Sequence, residues 1–203
     1  MVEKGHHWED VYQNKQEVET SWFEGRPQTS LELIAATGAS GDASIVDVGA
    51  GSSHLVNCLH EQGFRRITVL DLSETALAKA RARLPDDAPV EWVVANVLDW
   101  KPCRRFDVWH DRAAFHFLTE PADQDRYVKV LDHTLVPGGH AIIGTVALDG
   151  PTSCSGLPVA RYDAALLSER LGNGYHLVKS LTQDHHTPRG SVQRFHFGVF
   201  RKV

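Results

Sequence analysis

Short apolar runs alternate along this chain with stretches in which apolar residues recur at helical spacing. Leu31, Leu33, Ile34 and Ala35 predict a helix that stops near Thr37 and Gly38, and Ser44 to Val48 reads as a continuous apolar strand. The chain then turns on Gly49, Ala50 and Gly51. Leu55, Val56 and Leu59 predict the next helix, capped by Ser52 or Ser53 and stopped by Gly63. Ile67 to Leu70 is a second strand. Ser73 and Glu74 ahead of Ala76, Leu77, Ala80 and Leu84 mark a capped amphipathic helix, and Val90 to Ala95 is a third strand. Phe106 to Trp109 gives a fourth. Pro121 opens a helix running to about Thr134, and Pro137, Gly138 and Gly139 turn into a fifth strand, Ala141 to Val146. After a helix around Ala164 to Leu171 the alternation breaks. His176 to Thr182 and Val192 to Phe200 are strand-like runs joined through Thr187, Pro188, Arg189 and Gly190.

Strands that alternate with helices are joined by right-handed crossovers. The expected fold is therefore α/β: a Rossmann-like three-layer sandwich whose mostly parallel seven-stranded sheet ends in an antiparallel C-terminal hairpin. In such open sheets ligands settle beyond the carboxyl ends of the strands, where the strand order reverses. The residues that follow the first four strands are the ones to search for chemistry.

Composition narrows the class. A chain of 203 residues with 42% apolar and 23% charged side chains buries roughly 70% of its unfolded surface, so a core forms without disulfide or metal. The net charge of -5, from 21 basic and 26 acidic residues, gives no broad basic field, and no nucleic-acid partner is expected. Cys58, Cys103 and Cys154 are odd in number and far apart, which suits free thiols in a reducing compartment. Met1 to His7 lacks the apolar core of a signal peptide, and no run approaches the roughly 18 apolar residues of a membrane span. A cytoplasmic protein without a membrane partner is expected, as a monomer or weak dimer. His6-His7 and His185-His186 have no third ligand at recognisable spacing, so no metal site is expected.

The densest chemical signal is Val46-Asp47-Val48-Gly49-Ala50-Gly51, which leaves a strand and enters a helix. Glycines there permit a tight turn and close approach of a ligand to the main chain, and helix amides favour an anionic group. Asp71 follows at the end of the second strand, where a carboxylate can accept both hydroxyl hydrogens of a ribose. Alternatively, Asp71 caps the helix that follows. Together these imply an adenosine-type cofactor. The dinucleotide fingerprint needs a third glycine, but His54 stands in its place, which weakens an NAD-dependent oxidoreductase.

These landmarks, with Ala95-Asn96-Val97 after the third strand, Pro137-Gly138-Gly139 before the fifth and the terminal hairpin, resemble the class I S-adenosylmethionine-dependent methyltransferases. The resemblance implies S-adenosylmethionine as cofactor and S-adenosylhomocysteine as product. It puts Asp47, Gly49, Ala50 and Gly51 on the methionine side, Asp71 with Leu72 at the ribose, and Asn96 with Val97 at the adenine. Many members carry Asp where Asn96 stands, although an amide oxygen also accepts from the adenine amine. Asn96 has a second reading as a loop amide satisfying nearby backbone. His110-Asp111-Arg112-Ala113-Ala114-Phe115, Arg126-Tyr127 and Thr187-Pro188-x-Gly190-x-x-Gln193-x-Phe195 look like the thiopurine and thiol methyltransferase branch. That branch carries an Asp-Arg pair at the fourth strand end, which adds Asp111 to the cofactor candidates.

On this reading residues 1–40 form an N-terminal helical lid region and residues 41–203 the cofactor-binding core of a single domain. Trp8, Tyr12, Trp22 and Phe23 would close over the sulfonium, because a cation is attracted to ring faces; ordinary helix packing is the alternative. Arg112 would hold an anionic or soft acceptor, or else pair with Asp111 or another carboxylate. His110 and His116 are candidate proton acceptors, or structural histidines. Cys154 sits on a loop that could border the acceptor. The expected reaction is methyl transfer to a small-molecule nucleophile such as a thiol or heteroaromatic. A protein lysine acceptor and a non-catalytic cofactor-binding protein are the alternatives.

Overall fold

The computed structural model describes residues 2–203, with side chains from Gly5 onward. Its first helix, α1 (Val2–Asn14), leads through a short 3-10 turn (Glu17–Glu19) to α2 (Gln28–Ala36). Then follow β1 (Ser44–Val48), α3 (Leu55–Glu61), β2 (Arg66–Asp71), α4 (Glu74–Arg81), β3 (Val90–Val94) and β4 (Phe106–Arg112). The second half contains α5 (Pro121–Thr134), β5 (Leu135–Val146), a small hairpin of β6 (Ser153–Cys154) and β7 (Leu157–Pro158), α6 (Ala164–Leu171), β8 (Tyr175–His186) and β9 (Val192–Lys202). The main sheet has seven strands in the order β3-β2-β1-β4-β5-β9-β8. All pairs up to β5 are parallel, and β9 and β8 join antiparallel. This is the architecture expected from the sequence.

Each central strand shares its residues between two cores, as period-two geometry requires. Ile45, Val108, Ile142 and Val199 pack with Leu33 and Leu55 on the α2–α3–α4 face. Their neighbours Val46, Trp109, Ile143 and Phe200 pack with Tyr127, Leu131 and Leu167 on the α5–α6 face. The strand order reverses between β1 and β4, so the crossovers leaving β1 for β2 and β4 for β5 run to opposite sides and open a crevice there.

Four local expectations change. β4 runs three residues beyond Trp109, so His110, Asp111 and Arg112 are strand residues. Pro137-Gly138-Gly139 forms an irregularity within β5, where the pairing jumps from Phe106–Leu135 to Val108–His140, rather than a turn before it. The α3 N-cap is His54, without a side-chain cap, although the Ser53 hydroxyl accepts from the Leu55 amide at 3.1 Å. The β6–β7 hairpin has strands too short for any hydrophobic period to mark.

The N-terminal segment is fastened to the core by polar contacts. Glu9 accepts from the Ser73 hydroxyl at 2.7 Å and bonds Thr75, while Lys79 Nζ donates to the backbone carbonyls of Tyr12 and Lys15. Arg83 pairs with Glu17 at 2.5 Å and donates to the carbonyls of Ser52 and Ser53. Tyr12 is buried against the glycine turn: a Cβ on Gly51, whose φ is +56°, would lie 2.0 Å from the Tyr12 hydroxyl. Gly51→Ala should therefore lose roughly 1–2 kcal/mol from the left-handed backbone alone, and should also displace α1. Urea unfolding measures the first effect, and faster proteolysis of the segment before Arg26 measures the second.

Candidate functional site

A cavity lies beyond the carboxyl ends of β1 to β4, under the N-terminal segment. Gly49 and Ala50 form one wall at the end of β1. Gly49, at φ +62°, admits no Cβ because Ala114 of the post-β4 turn would stand 2.4 Å away. Asp71 and Leu72 follow at the end of β2, and Asn96 and Val97 after β3. The Asp71 carboxylate accepts from the Gly51 amide at 2.7 Å and from the Ser73 amide at 2.8 Å. Burial pushes its carboxyl up to about 6, against the pull of those amides. Ser73, rather than Asp71, caps α4 by accepting from the Ala76 amide. Asn96 Oδ1 accepts from the Leu98 amide at 3.0 Å, so the loop-amide reading is realised in a residue that also lines the cavity.

Trp8, Tyr12, Trp22 and Phe23 all line this cavity. Trp22 stands edge-on to Trp8 at 5.7 Å and to Tyr12 at 6.1 Å, and Trp8 meets Phe117 at 5.0 Å. The aromatic segment thus both packs and forms a wall. His54, where a dinucleotide site would have its third glycine, pairs with Glu17 at 3.3 Å and packs edge-on to Phe23.

Strand geometry sorts the polar residues of β4. His110 and Arg112 share one face and line the cavity, whereas Asp111 points the other way and does not. Asp111 instead accepts from the Ala114 and Phe115 amides and from the Tyr127 hydroxyl at 2.6 Å, holding the turn after β4. Asp111 as a cofactor ligand is therefore corrected to a structural carboxylate. Gly51 likewise stands off the cavity wall and turns toward Tyr12. His110 sits opposite Asp47 in the β1–β4 register, with Nδ1 2.7 Å from Asp47 Oδ1 and Nε2 2.9 Å from Ser30 Oγ. Both ring nitrogens are engaged, so His110 ties β1, β4 and α2 together. His116 is buried off the cavity, and its Nδ1 accepts from the Val146 amide at 3.3 Å. Burial and the nearby Arg112 charge push it down to about 3, too weakly basic for proton transfer at neutral pH.

Arg112 realises its ion-pair reading, with Glu24 at 3.0 Å rather than Asp111, and it also donates to the Trp22 carbonyl at 3.1 Å. Its guanidinium lies over the Phe195 ring at 5.2 Å. Glu24, Ser30, Phe117 and Phe195 line the cavity without having been singled out in the sequence as site residues. No local motif marks Glu24, Ser30 or Phe117, and Phe195 ends the Thr187–Phe195 run without that run assigning it to a site; each reaches the cavity through long-range packing. Cys154 also lines it, and burial pushes its thiol up, away from the thiolate form.

Residues 45–139 match the sequence profile of the family described as Methyltransferase domain. The match covers just under half of the chain. It begins in β1 and ends inside β5, so it contains the strand ends that build the cavity. Over 96 residues, 47% of the chain and 37% of the relative, the sequence is 30% identical to trans-aconitate 2-methyltransferase of Escherichia coli O1:K1 / APEC. The chain spans about a third to a half of the length of the curated relatives it matches first. The fold is that of the N-methyltransferase NodS from Bradyrhizobium japonicum, solved with S-adenosyl-L-homocysteine: TM-score 0.74, 15% identity, 97% of this chain and 98% of that one. It is also that of the Burkholderia thailandensis 1,6-didemethyltoxoflavin N1-methyltransferase, with TM-score 0.71, 23% identity, and coverage of 100% and 85%.

The fourth strand carries one testable anomaly. Burial pushes the Asp111 carboxyl up to about 6, against hydrogen bonds from Tyr127, Ala114 and Phe115, compared with about 3.9 in an unfolded chain. The folded state therefore holds this proton more tightly. Its contribution to stability is complete below about pH 4 and is lost as the pH rises through about 6. The stability difference between the wild type and Asp111→Asn, from urea unfolding, should fall by roughly 1–3 kcal/mol between pH 4 and pH 7. A difference that rises over that range would show that the hydrogen bonds, and not burial, dominate.

Proposed function

We propose that the chain is an S-adenosylmethionine-dependent methyltransferase acting on a small-molecule nucleophile. The observation that carries this reading is the single cavity in which the Gly49–Ala50 turn, the Asp71 carboxylate and the Asn96–Val97 loop follow one another along successive strand ends. That donor set fits an S-adenosyl nucleoside. Each Asp71 oxygen accepts one backbone amide and keeps lone-pair capacity for ribose hydroxyls. Leu72, Val97 and Leu98 supply apolar surface for a base. The sequence resemblance puts Asp47 and Gly49 beside the methionine portion, and both line the cavity. Trp22 and Trp8 offer ring faces to a sulfonium. The N-terminal segment, residues 1–40, acts in this reading as the lid over the core.

The cofactor would supply an electrophilic methyl group, so the chain's own task is alignment and exclusion of water. Trp8, Trp22, Phe117 and Phe195 give the cavity aromatic lining, which suits a compact acceptor. His116 is too weakly basic to take a proton and His110 is tied to Asp47 and Ser30, so the reading favours an acceptor that arrives already nucleophilic. A thiolate, a heteroaromatic nitrogen or a similar soft atom meets that condition, whereas a protonated lysine does not. The relatives named for trans-aconitate and for a didemethyltoxoflavin also act on small molecules.

Calorimetry should give S-adenosylhomocysteine a dissociation constant in the micromolar range or tighter, about -8 kcal/mol, with no comparable binding of NAD. Asp71→Ala should weaken it by roughly 1.5–3 kcal/mol per lost charge-assisted bond. Because the carboxylate is the accepting form and its carboxyl sits near 6, wild-type affinity should fall by about tenfold from pH 7 to pH 5. Labelled S-adenosylmethionine with a panel of thiols, heteroaromatics, halides and peptides then reads the acceptor. Tight NAD binding, or transfer to peptide lysine alone, would contradict the proposal.

A further inference from the structure

The acceptor half of the cavity contains a charge arrangement that the methyl-transfer reading does not use. Glu24 Oε1 accepts from Arg112 Nη2 at 3.0 Å and faces His185 Nδ1 at 3.1 Å. His185, near the end of β8, is 4% exposed. Its Nε2 lies 2.7 Å from the Ser21 carbonyl. A carboxylate and a carbonyl can only accept, so both ring nitrogens donate and the ring is an imidazolium. Glu24 is held in its ionised form: burial works to raise its carboxyl, but the His185 hydrogen bond and the Arg112 charge outweigh it. One anion is thus shared between two cations. An isolated Arg112–Glu24 pair would be neutral, whereas the three together carry a net positive charge. Side-chain exposures of 13% for Arg112 and 16% for Glu24 keep this charge poorly screened.

The other titratable neighbours are Asp47, His110, His116 and Cys154. Asp47 acts on Arg112 from β1 while hydrogen-bonded to His110, on the methionine side in the proposed reading, and His116 is held neutral by burial. Cys154, from β6, has its thiol pushed up by burial and stays neutral. From β9, Phe195 adds only its ring, edge-on to His185 at 6.2 Å and under Arg112. Arg112 commits Nη1 to Trp22 and Nη2 to Glu24, and a guanidinium has five N–H groups, so donors remain for a ligand in the cavity.

We propose that His185 is a specificity-determining residue: as an imidazolium it offsets Glu24, makes the field at Arg112 more positive, and so selects an anionic methyl acceptor such as a carboxylate or thiolate. The inference rests on the methyl-transfer reading and narrows its acceptor class. His185 acts through Glu24 and Arg112 and need not touch the acceptor itself.

The test uses the full chain saturated with S-adenosylhomocysteine at pH 6, with benzoate and benzamide as probes of matched shape and different charge. Benzoate should bind at least about tenfold more tightly, the scale of one unit charge acting over roughly 10 Å at an effective dielectric near 20. His185→Gln, which can still donate a hydrogen bond, should remove most of that preference while leaving benzamide and S-adenosylhomocysteine affinities unchanged. A merely structural His185 would instead weaken both probes together. Equal binding of the two probes, binding of neither, or an unchanged preference in His185→Gln overturns the inference and leaves the cofactor reading standing. If wild-type protein fails to bind S-adenosylhomocysteine, both fall.

Discussion

A buried carboxylate with no cationic partner among the described residues organises one side of this molecule. Asp71 is held by backbone amides, from Gly51 in the turn after β1 and from Leu72 and Ser73 ahead of α4. Burying a charge this way is costly, and the raised carboxyl value records that cost. Three structures depend on the arrangement. The Gly49–Gly51 turn is fixed at its far end, Ser73 is set to cap α4, and the Ser73 hydroxyl is placed to reach Glu9 of α1. A ligand hydroxyl donating to Asp71 would relieve part of the desolvation, which is why such a site favours polyhydroxylated ligands over plain anions.

The same logic repeats on β4, but there the polar groups satisfy one another. Asp47 and His110 face each other across β1 and β4, with Ser30 completing the ring's hydrogen bonds, while Asp111 serves the opposite face. Buried polar networks of this kind hold a unique register when every member is satisfied. They fix β1 and β4 at the strand-order reversal, where the cavity opens.

The elements most legible in the sequence were those set by local backbone demands. The glycine turn, the Ser73 cap, Pro121 at the start of α5 and the terminal hairpin each follow from what one or two residues permit. The last three residues of β4 are His110, Asp111 and Arg112, a polar run that an apolar pattern cannot mark as strand. A strand that ends at Trp109 makes Asp111 and Arg112 neighbours at one site, whereas the full strand points them to opposite faces. Glu24 and His185 were illegible for another reason. Their meaning comes from a contact between residues 161 positions apart, and nothing in either local sequence announces it.

The central claim is that the crevice at the β1–β4 reversal holds an S-adenosyl nucleoside with Asp71 at the ribose. A crystal structure of the chain with S-adenosylhomocysteine tests it most directly. The account predicts both ribose hydroxyls within hydrogen-bond distance of the Asp71 carboxylate and the adenine against Val97. A nucleoside bound elsewhere, or one that leaves Asp71 contacted only by the Gly51 and Ser73 amides, would contradict it.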